Sequence, residues 1–402
     1  MISEATGSDR VIDFPALRAA GCPFDPPPDY RQESCPVPVV RARLWDGSLC
    51  TLVTGYEHVR SLLGDRRLSA DVRAPGFPLL SRSRHELLGR STVSFIRLDD
   101  AEHVRQRRML MGGFIARRVE EMRPRMRQVV DETLDAFVEE GGPADLVAGF
   151  AVPVASRVIF ELLGLPYEDR GFLLEHSRVM SRLDPDLDVL EAAIAALTEY
   201  LTDLAAHKRR SPDESVLGRL AMREDVAAEE LASMGRLLLT AGHWTTVDMT
   251  ALGVLALLRH PVQADLLRVD GDLATGAVEE LLRYLSILQI GVPRAALEDI
   301  EIDGTVIRAG EGVMLMLSTA NRDAGMFPDG DRLDLTRDTR HHLAFSFGPH
   351  QCLGQALARA ELQIALPTLL RRLPGLRLAT PFEELCFQED MVYGVDRLPV
   401  AW

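Results

Sequence analysis

The sequence predicts a mainly α-helical fold with a small β-rich region, and three observations carry that reading. Apolar residues recur at three- and four-residue spacing from Glu102 to about Leu267, as in Val129 to Phe137, Val154 to Leu163 and Leu190 to Leu204. The run Ala227 to Arg259 is the longest and most apolar of these. The β signals are short and lie outside that region, around the turn pairs Asp46-Gly47 and Asp303-Gly304. With 402 residues, 47% of them apolar, the chain can bury one large core or several ordinary ones. No repeat or linker divides it, so residues 1–402 read as a single domain.

Taken in order, Cys22 to Gln32 carries Pro23, Pro26, Pro27 and Pro28, and residues lacking an N–H read as an extended arm over about 1–36. Arg41 to Trp45 and Leu49 to Val53 flank Asp46-Gly47 as a β-hairpin. Pro75 to Arg97 mixes proline, glycine, serine and arginine without helical or strand period, which predicts a long functional loop. Ala227 to Arg259 is a central buried helix, and the polar residues from Gly242 to Asp248 at its middle need a reason. Ile300 to Ile302, Gly304 to Ile307 and Gly312 to Leu317 read as short strands, and a last helix runs from Leu353 to Leu370.

The net charge of −15 repels phosphate backbones and anionic lipid, which argues against nucleic acid and membrane as partners. Met1 to Arg10 is polar and no apolar run approaches the ~20 residues of a spanning helix, so the expected location is cytoplasmic. Five scattered cysteines (Cys22, Cys35, Cys50, Cys352, Cys386) lack zinc spacing and the CxxCH of covalent haem attachment. Lys208 is the only lysine, and arginine, alanine and leucine abound, as in a GC-rich bacterial genome.

Phe345-Ser346-Phe347-Gly348-Pro349-His350-Gln351-Cys352-Leu353-Gly354 runs into the N-terminus of the last helix. Unpaired N–H groups and the positive end of the helix dipole favour a thiolate at Cys352, and Gly348 and Gly354 let backbone pass close to something flat. A lone cysteine in such a turn is more often an inert thiol. The spacing of Phe345, Gly348, His350, Cys352 and Gly354 is, however, similar to the haem-binding signature of the cytochrome P450 family, and the chain resembles that family from Cys22 to Trp402.

The resemblance implies a P450 fold holding haem b, with Cys352 as the iron ligand. Glu280-Leu281-Leu282-Arg283 resembles the family's ExxR motif and, with Arg337, implies a buried ion network. His103 and Arg107, four residues apart on one helical face, resemble a propionate-binding pair, and Arg294 and His350 match two further contacts. Ala241-Gly242-His243-Trp244-Thr245-Thr246 matches the distal oxygen-binding segment, with Ala241 beside the haem and Thr245 as the proton-relaying alcohol. Back-bonding of Thr245 to its own helix is the structural alternative.

Two positions depart from the family. Trp244 stands where an acid usually precedes the threonine, and an indole cannot cycle protons. Delivery then falls to water held by Thr245, Thr246 or His243, or to a polar group of the substrate, while Trp244 either takes part or merely packs. Ser346 replaces a common glycine, for which a small local adjustment is expected.

The family fold places Leu238, Ala241, Gln289, Ile290, Val292, Met391 and Val392 in the substrate pocket, with Gln289 as a hydrogen-bonding group and Arg73, Arg82 or Arg84 within reach of an acidic or carbonyl group. Arg105, Arg108, Arg117, Arg118, His341 and His342 form an expected basic face for ferredoxin. GxGxxG, Walker and GxSxG motifs are absent, and His85-Glu86-Leu87-Leu88-Gly89 lacks the second histidine of a zinc protease. Electrons are therefore expected from ferredoxin and ferredoxin reductase.

The expected function is an O2-dependent monooxygenase that abstracts hydrogen from an apolar small molecule and hydroxylates it, in bacterial natural-product biosynthesis. One alternative is oxidative C–C or C–N coupling of aromatic or indole substrates such as tryptophan-containing cyclic dipeptides. The other is a non-catalytic haem-based binding protein or sensor.

Overall fold

In the computed structural model, which describes residues 11–19, 21–31 and 38–402, eight helices of twelve residues or more supply most of the helical structure of the described residues. They are α1 (Asp100–Phe114), α2 (Ala116–Glu140), α3 (Val152–Leu163), α4 (Arg170–Ser181), α5 (Leu187–Arg210), α6 (Ala228–Arg259), α7 (Ala274–Leu285) and α8 (Gln355–Arg372). Cys35, with parts of the arm expected over about 1–36, lies outside the described residues.

The 32 residues of α6 run through the molecule without a break, about 48 Å at 1.5 Å per residue. The helix packs against α3, α4, α5 and α8, which explains why its apolar residues occupy nearly every face rather than one stripe. Gly242 does not interrupt it. A Cβ there would lie 2.8 Å from Ile159 Cδ1 of α3, so the missing side chain allows the two helices to approach.

The β region is a six-stranded mixed sheet in the order Val11–Asp13, Val39–Arg43, Leu49–Val53, Gly312–Leu315, Val292–Ala296, Leu68–Ser69. Its hairpin pairs Arg41 with Thr51 and Val39 with Val53. The first strand begins two residues earlier than Arg41 and ends at Arg43. Leu44 and Ser48 close the connection through a 2.9 Å backbone bond, with Gly47 at φ +84°, so Leu44 and Trp45 belong to the loop. Ile300–Ile302 and Thr305–Ile307 pair around Asp303 and Gly304, both at positive φ.

Three local features escape the sequence reading. Within Pro75 to Arg97, Ser81 caps a short helix at Arg82–Glu86 by accepting from the backbone N–H of Arg84, and five residues are too few to show a period. The strand at Gly312 stops at Leu315 and gives way to a helical turn at Leu317–Ala320. Phe387–Glu389 pairs with Tyr393–Val395 against α6. No described helix is long and apolar enough to cross a membrane.

Candidate active site

The loop leading into α8 is folded on itself. Ser346 N–H donates to Leu343 O at 2.7 Å, and Cys352 N–H donates to Phe345 O at 2.9 Å. Ser346 lies at φ +62° with its buried Oγ unpartnered, and Gly348 lies at φ +76°. A Cβ on Gly348 would approach Leu63 O to 2.7 Å, so this glycine makes room for the chain's own helix Tyr56–Leu63, whereas at Gly354 a Cβ meets open space. Phe345 lies beneath the Arg359 guanidinium, 4.5 Å from ring centroid to carbon.

Burial pushes the Cys352 thiol up from its ordinary value, while the backbone N–H groups of Gly354 and Gln355 and the guanidinium groups of Arg107 and Arg359 pull it down. Burial wins, so the sulfur is held anionic only with a further cation. A metal ion supplies one.

Four basic side chains converge next to the cysteine loop, and one of them, Arg107, faces the sulfur. Arg107 Nη2 donates to Gln351 O at 2.6 Å, pinning α1 to the cysteine loop. His103 and His350 stack with centroids 4.0 Å apart, and His350 Nε2 lies 3.7 Å from Asp99 Oδ1. Arg294, in the strand Val292–Ala296, is 3% exposed. Burial, then His350 and Arg107, push the His103 imidazole down to about 4, and burial alone takes Arg294 down to about 10. His103 Nε2, His350 Nδ1 and Arg294 Nη2 are buried and lack a partner among the described residues. Orphaned donors beside two arginines require an anion with several oxygens. The two carboxylates of haem b have that chemistry, and the iron supplies the cation that Cys352 needs, so the residues present fit the group.

Arg97 belongs to the same cluster and was not anticipated. Burial, followed by Arg294 and Arg84, pushes its pKa down to about 9. Its only signal in the sequence is an arginine between Ile96 and Leu98, directly ahead of α1.

On α6, Ala241 is exposed and Thr245 half-buried although both lie mid-helix, so this face is uncovered. Thr245 Oγ1 donates to Ala241 O at 2.6 Å, and Thr246 Oγ1 to Gly242 O at 3.1 Å. Both hydroxyls thus back-bond to the helix. His243 is fully buried against α3, its Nε2 2.9 Å from Ser156 Oγ, and burial pushes it down to about 3. Trp244 points to α4: Nε1 donates to Ser177 Oγ at 3.1 Å, and the Arg178 guanidinium sits 4.7 Å above the ring.

Of the residues expected to line the pocket, Leu238 is buried on α6, and Val392 bridges Leu288 beside Met391. Val292 packs against the core between the sheet and helix Tyr56–Leu63. Ile290 is buried in the cluster around Val40, Leu52 and Met314, and Gln289 accepts from Arg18 Nε at 3.3 Å. The three arginines offered to a substrate have partners within the protein: Arg73 with Asp71, Arg82 with Glu86, and Arg84 with the carbonyls of Met180, Arg182 and Leu183.

Behind the cysteine loop, Arg283 forms two bonds of 2.7 and 2.8 Å to Glu280, both residues fully buried, and Arg337 Nε reaches Glu280 Oε1 at 3.4 Å. Arg283 also donates to Asn321 O and Gly330 O. On the expected basic face, Arg105 is tied to Glu102 and Glu230, and Arg117 and Arg118 share Glu121. His342 is buried against Glu279, while Arg108 and His341 are exposed.

A family model described as Cytochrome P450 matches residues 188–374. The chain is 52% identical to cytochrome P450-SU2 of Streptomyces griseolus, over 100% of this chain and 99% of that one. It is 46% identical to pentalenic acid synthase of Streptomyces avermitilis, over 100% of both chains. The crystal structure of the mycinamicin VIII C21 methyl hydroxylase MycCI from Micromonospora griseorubida matches with a TM-score of 0.91 at 40% identity, covering 97% of this chain and 100% of that one.

Proposed function

We propose, for a chain that belongs to the cytochrome P450 family, hydroxylation of an apolar small molecule in bacterial natural-product biosynthesis. Membership makes the chain a haem-b-containing monooxygenase that uses O2, a substrate and redox partners. The observation that carries the site is the set of orphaned donors on His103, His350 and Arg294 beside Cys352. Two of the relatives named above, a pentalenic acid synthase and a mycinamicin methyl hydroxylase, support a natural product as the substrate class.

Bound here, haem b supplies the reductive splitting of dioxygen and the insertion of one oxygen atom into a C–H bond. The chain's own residues do the rest. His103, Arg107, Arg294 and His350 would hold the two haem carboxylates through charge-assisted hydrogen bonds, and Cys352 would provide the anionic sulfur that ligates the iron. The Thr245 hydroxyl exchanges its back-bond to Ala241 for a bond across the uncovered face of α6, where it orients water and passes a proton. Leu238, Val392 and Met391 offer apolar surface and exclude bulk water. Electrons arrive from ferredoxin and ferredoxin reductase in the cytoplasm, at a face that keeps Arg108 and His341 exposed.

Coupling of indole substrates would gain support from an enzyme indole free to take part at the site, and Trp244 is the candidate. With its N–H bonded to Ser177 and its ring beneath Arg178, the indole is a packing residue between α4 and α6, and that support falls away. The test is turnover of candidate natural products with ferredoxin, reductase and NADH, read by mass. A gain of one oxygen supports hydroxylation; a dimer mass, or no product with either dioxygen or peroxide, overturns it.

A further inference from the structure

One turn beyond Trp244 on α6 stands a carboxyl that the haem cradle does not use, Asp248. Asp248 is 2% exposed, and its Oδ2 has no hydrogen-bond partner among the described residues. The side chain lines a cavity of about 500 Å³ together with Trp244 and Val247 of α6, Arg178 and Arg182 at the end of α4, Val147, and Gln388, Asp390 and Asp396 around the hairpin Phe387–Val395. The walls are mixed in charge, and the cavity is partly open to solvent.

The surroundings hold Asp248 without neutralising it. Arg178 is engaged elsewhere, hydrogen-bonded to Gln388, 3.7 Å from Asp390 and stacked on Trp244. Gly394 in the facing strand is required, because a Cβ there would lie 2.2 Å from Asp248 Oδ1. A buried carboxyl beside two further aspartates and without a bonded cation favours its protonated form. Burial, with Asp390 and Asp396 adding and Arg178 opposing, pushes Asp248 up to about 8. The facing groups from the α4 side are Arg178 and Arg182, those from the hairpin are Asp390 and Asp396, and Val147 contributes no charge.

Asp248 follows Thr245 by three residues, a spacing that places Cβ atoms on a helix about 5–6 Å apart, within reach of one bridging water. Trp244 precedes Asp248 by four and shares its face, so the acid absent from position 244 has a substitute one turn along.

We propose that Asp248 is the proton reservoir for the Thr245 side of α6, refilled from solvent through the cavity walled by Arg178, Arg182, Asp390 and Asp396. The Asp248 O–H bond breaks as a water beside Thr245 takes the proton. That water releases another of its protons to the Thr245 hydroxyl, which hands its own onward. The carboxylate left at Asp248 takes a proton from cavity water, so each proton delivered is one taken from solvent and no electron moves. The assignment rests on the monooxygenase reading above for its consequence in turnover, but not for the protonation state of Asp248.

Two measurements on the haem-loaded protein test it, and the first involves no turnover. Infrared difference spectra of the ferric resting state, titrated from pH 6 to pH 10, are expected to show a protonated carboxyl band that disappears near pH 8 and is absent from Asp248→Asn. No such band in the unaltered protein, or the same band in Asp248→Asn, overturns the proposal. The second compares the share of NADH electrons recovered in product. Asp248→Asn is expected to lower that share about tenfold or more, with the substrate-induced haem spectral shift kept within about twofold, and adding Trp244→Glu is expected to restore it. An unchanged share in Asp248→Asn, or a loss that Trp244→Glu fails to restore while the spectral shift persists, overturns it. Absence of any turnover in the unaltered protein, with the titrating band present, counts against the monooxygenase reading and leaves the reservoir standing.

Discussion

His103 and His350 stack at 4.0 Å, although they come from α1 and from the loop before α8, and each leaves a buried nitrogen without a partner among the described residues. Two imidazoles brought together by distant segments, with Arg294 Nη2 unpartnered among the described residues, make poor sense as packing. They make good sense as a pair of donors awaiting carboxylates. A charge-assisted hydrogen bond contributes about 1.5–3 kcal/mol, so replacing Arg294 by Ala should speed haem loss to a haem-scavenging protein by roughly 10- to 100-fold. Equal rates for Arg294→Ala and the unaltered protein would remove Arg294 from the cradle.

Ser346 occupies left-handed backbone at φ +62° with a buried, unpartnered hydroxyl. Glycine adopts that conformation without the Cβ penalty of about 1 kcal/mol, although it also loosens the unfolded chain. Ser346→Gly is expected to stabilise the protein by roughly 0.5–1 kcal/mol and to raise Tm by a degree or two in a chain of this size. A lower Tm would show that the hydroxyl contributes more than the structure assigns to it.

The Glu280–Arg283 pair is fully buried, whereas Arg340–Asp338 is an exposed pair two residues apart in sequence. Removing Arg283 takes away both short bonds to the buried Glu280 and leaves it only the longer contact to Arg337, a loss of up to about 3–5 kcal/mol, so Arg283→Ala should yield little soluble, haem-loaded protein. Arg340→Ala should leave Tm unchanged, because solvent screens such pairs. Comparable Tm values for the two variants would contradict the burial argument.

Thr245 is half-buried and bonds only its own helix, so Thr245→Ala should shift stability by no more than about 0.5 kcal/mol. Its effect should fall on the fate of electrons, with hydrogen peroxide released in place of hydroxylated product at similar NADH consumption. Peroxide and product measured together decide this, and an unchanged ratio would show that another group manages the proton.

What the sequence made legible follows from how local each signal is. The loop Phe345 to Gly354, the pair His103 and Arg107, and Glu280 with Arg283 are short spacings, and their geometry is fixed by a turn or a helix face. Pairings across long separations leave no such mark. Gln289 is joined to Arg18, 271 residues away, and Trp244 finds Ser177 across a helix seam, because tertiary packing decides between faces that periodicity treats alike. Asp248 lay within the polar interruption of α6, but its importance depends on a cavity assembled from four separate segments. Arg97 sat in a stretch without period, where sequence cannot distinguish a solvated arginine from one turned inward.

The most direct measurement is the absorption spectrum of the reduced protein under carbon monoxide. Ligation of the haem iron by the Cys352 sulfur predicts the band diagnostic of carbon-monoxide-bound thiolate iron in the unaltered protein and its loss in Cys352→Ala. Absence of that band from haem-loaded protein, or its persistence after Cys352→Ala, would contradict the assignment on which the site is built.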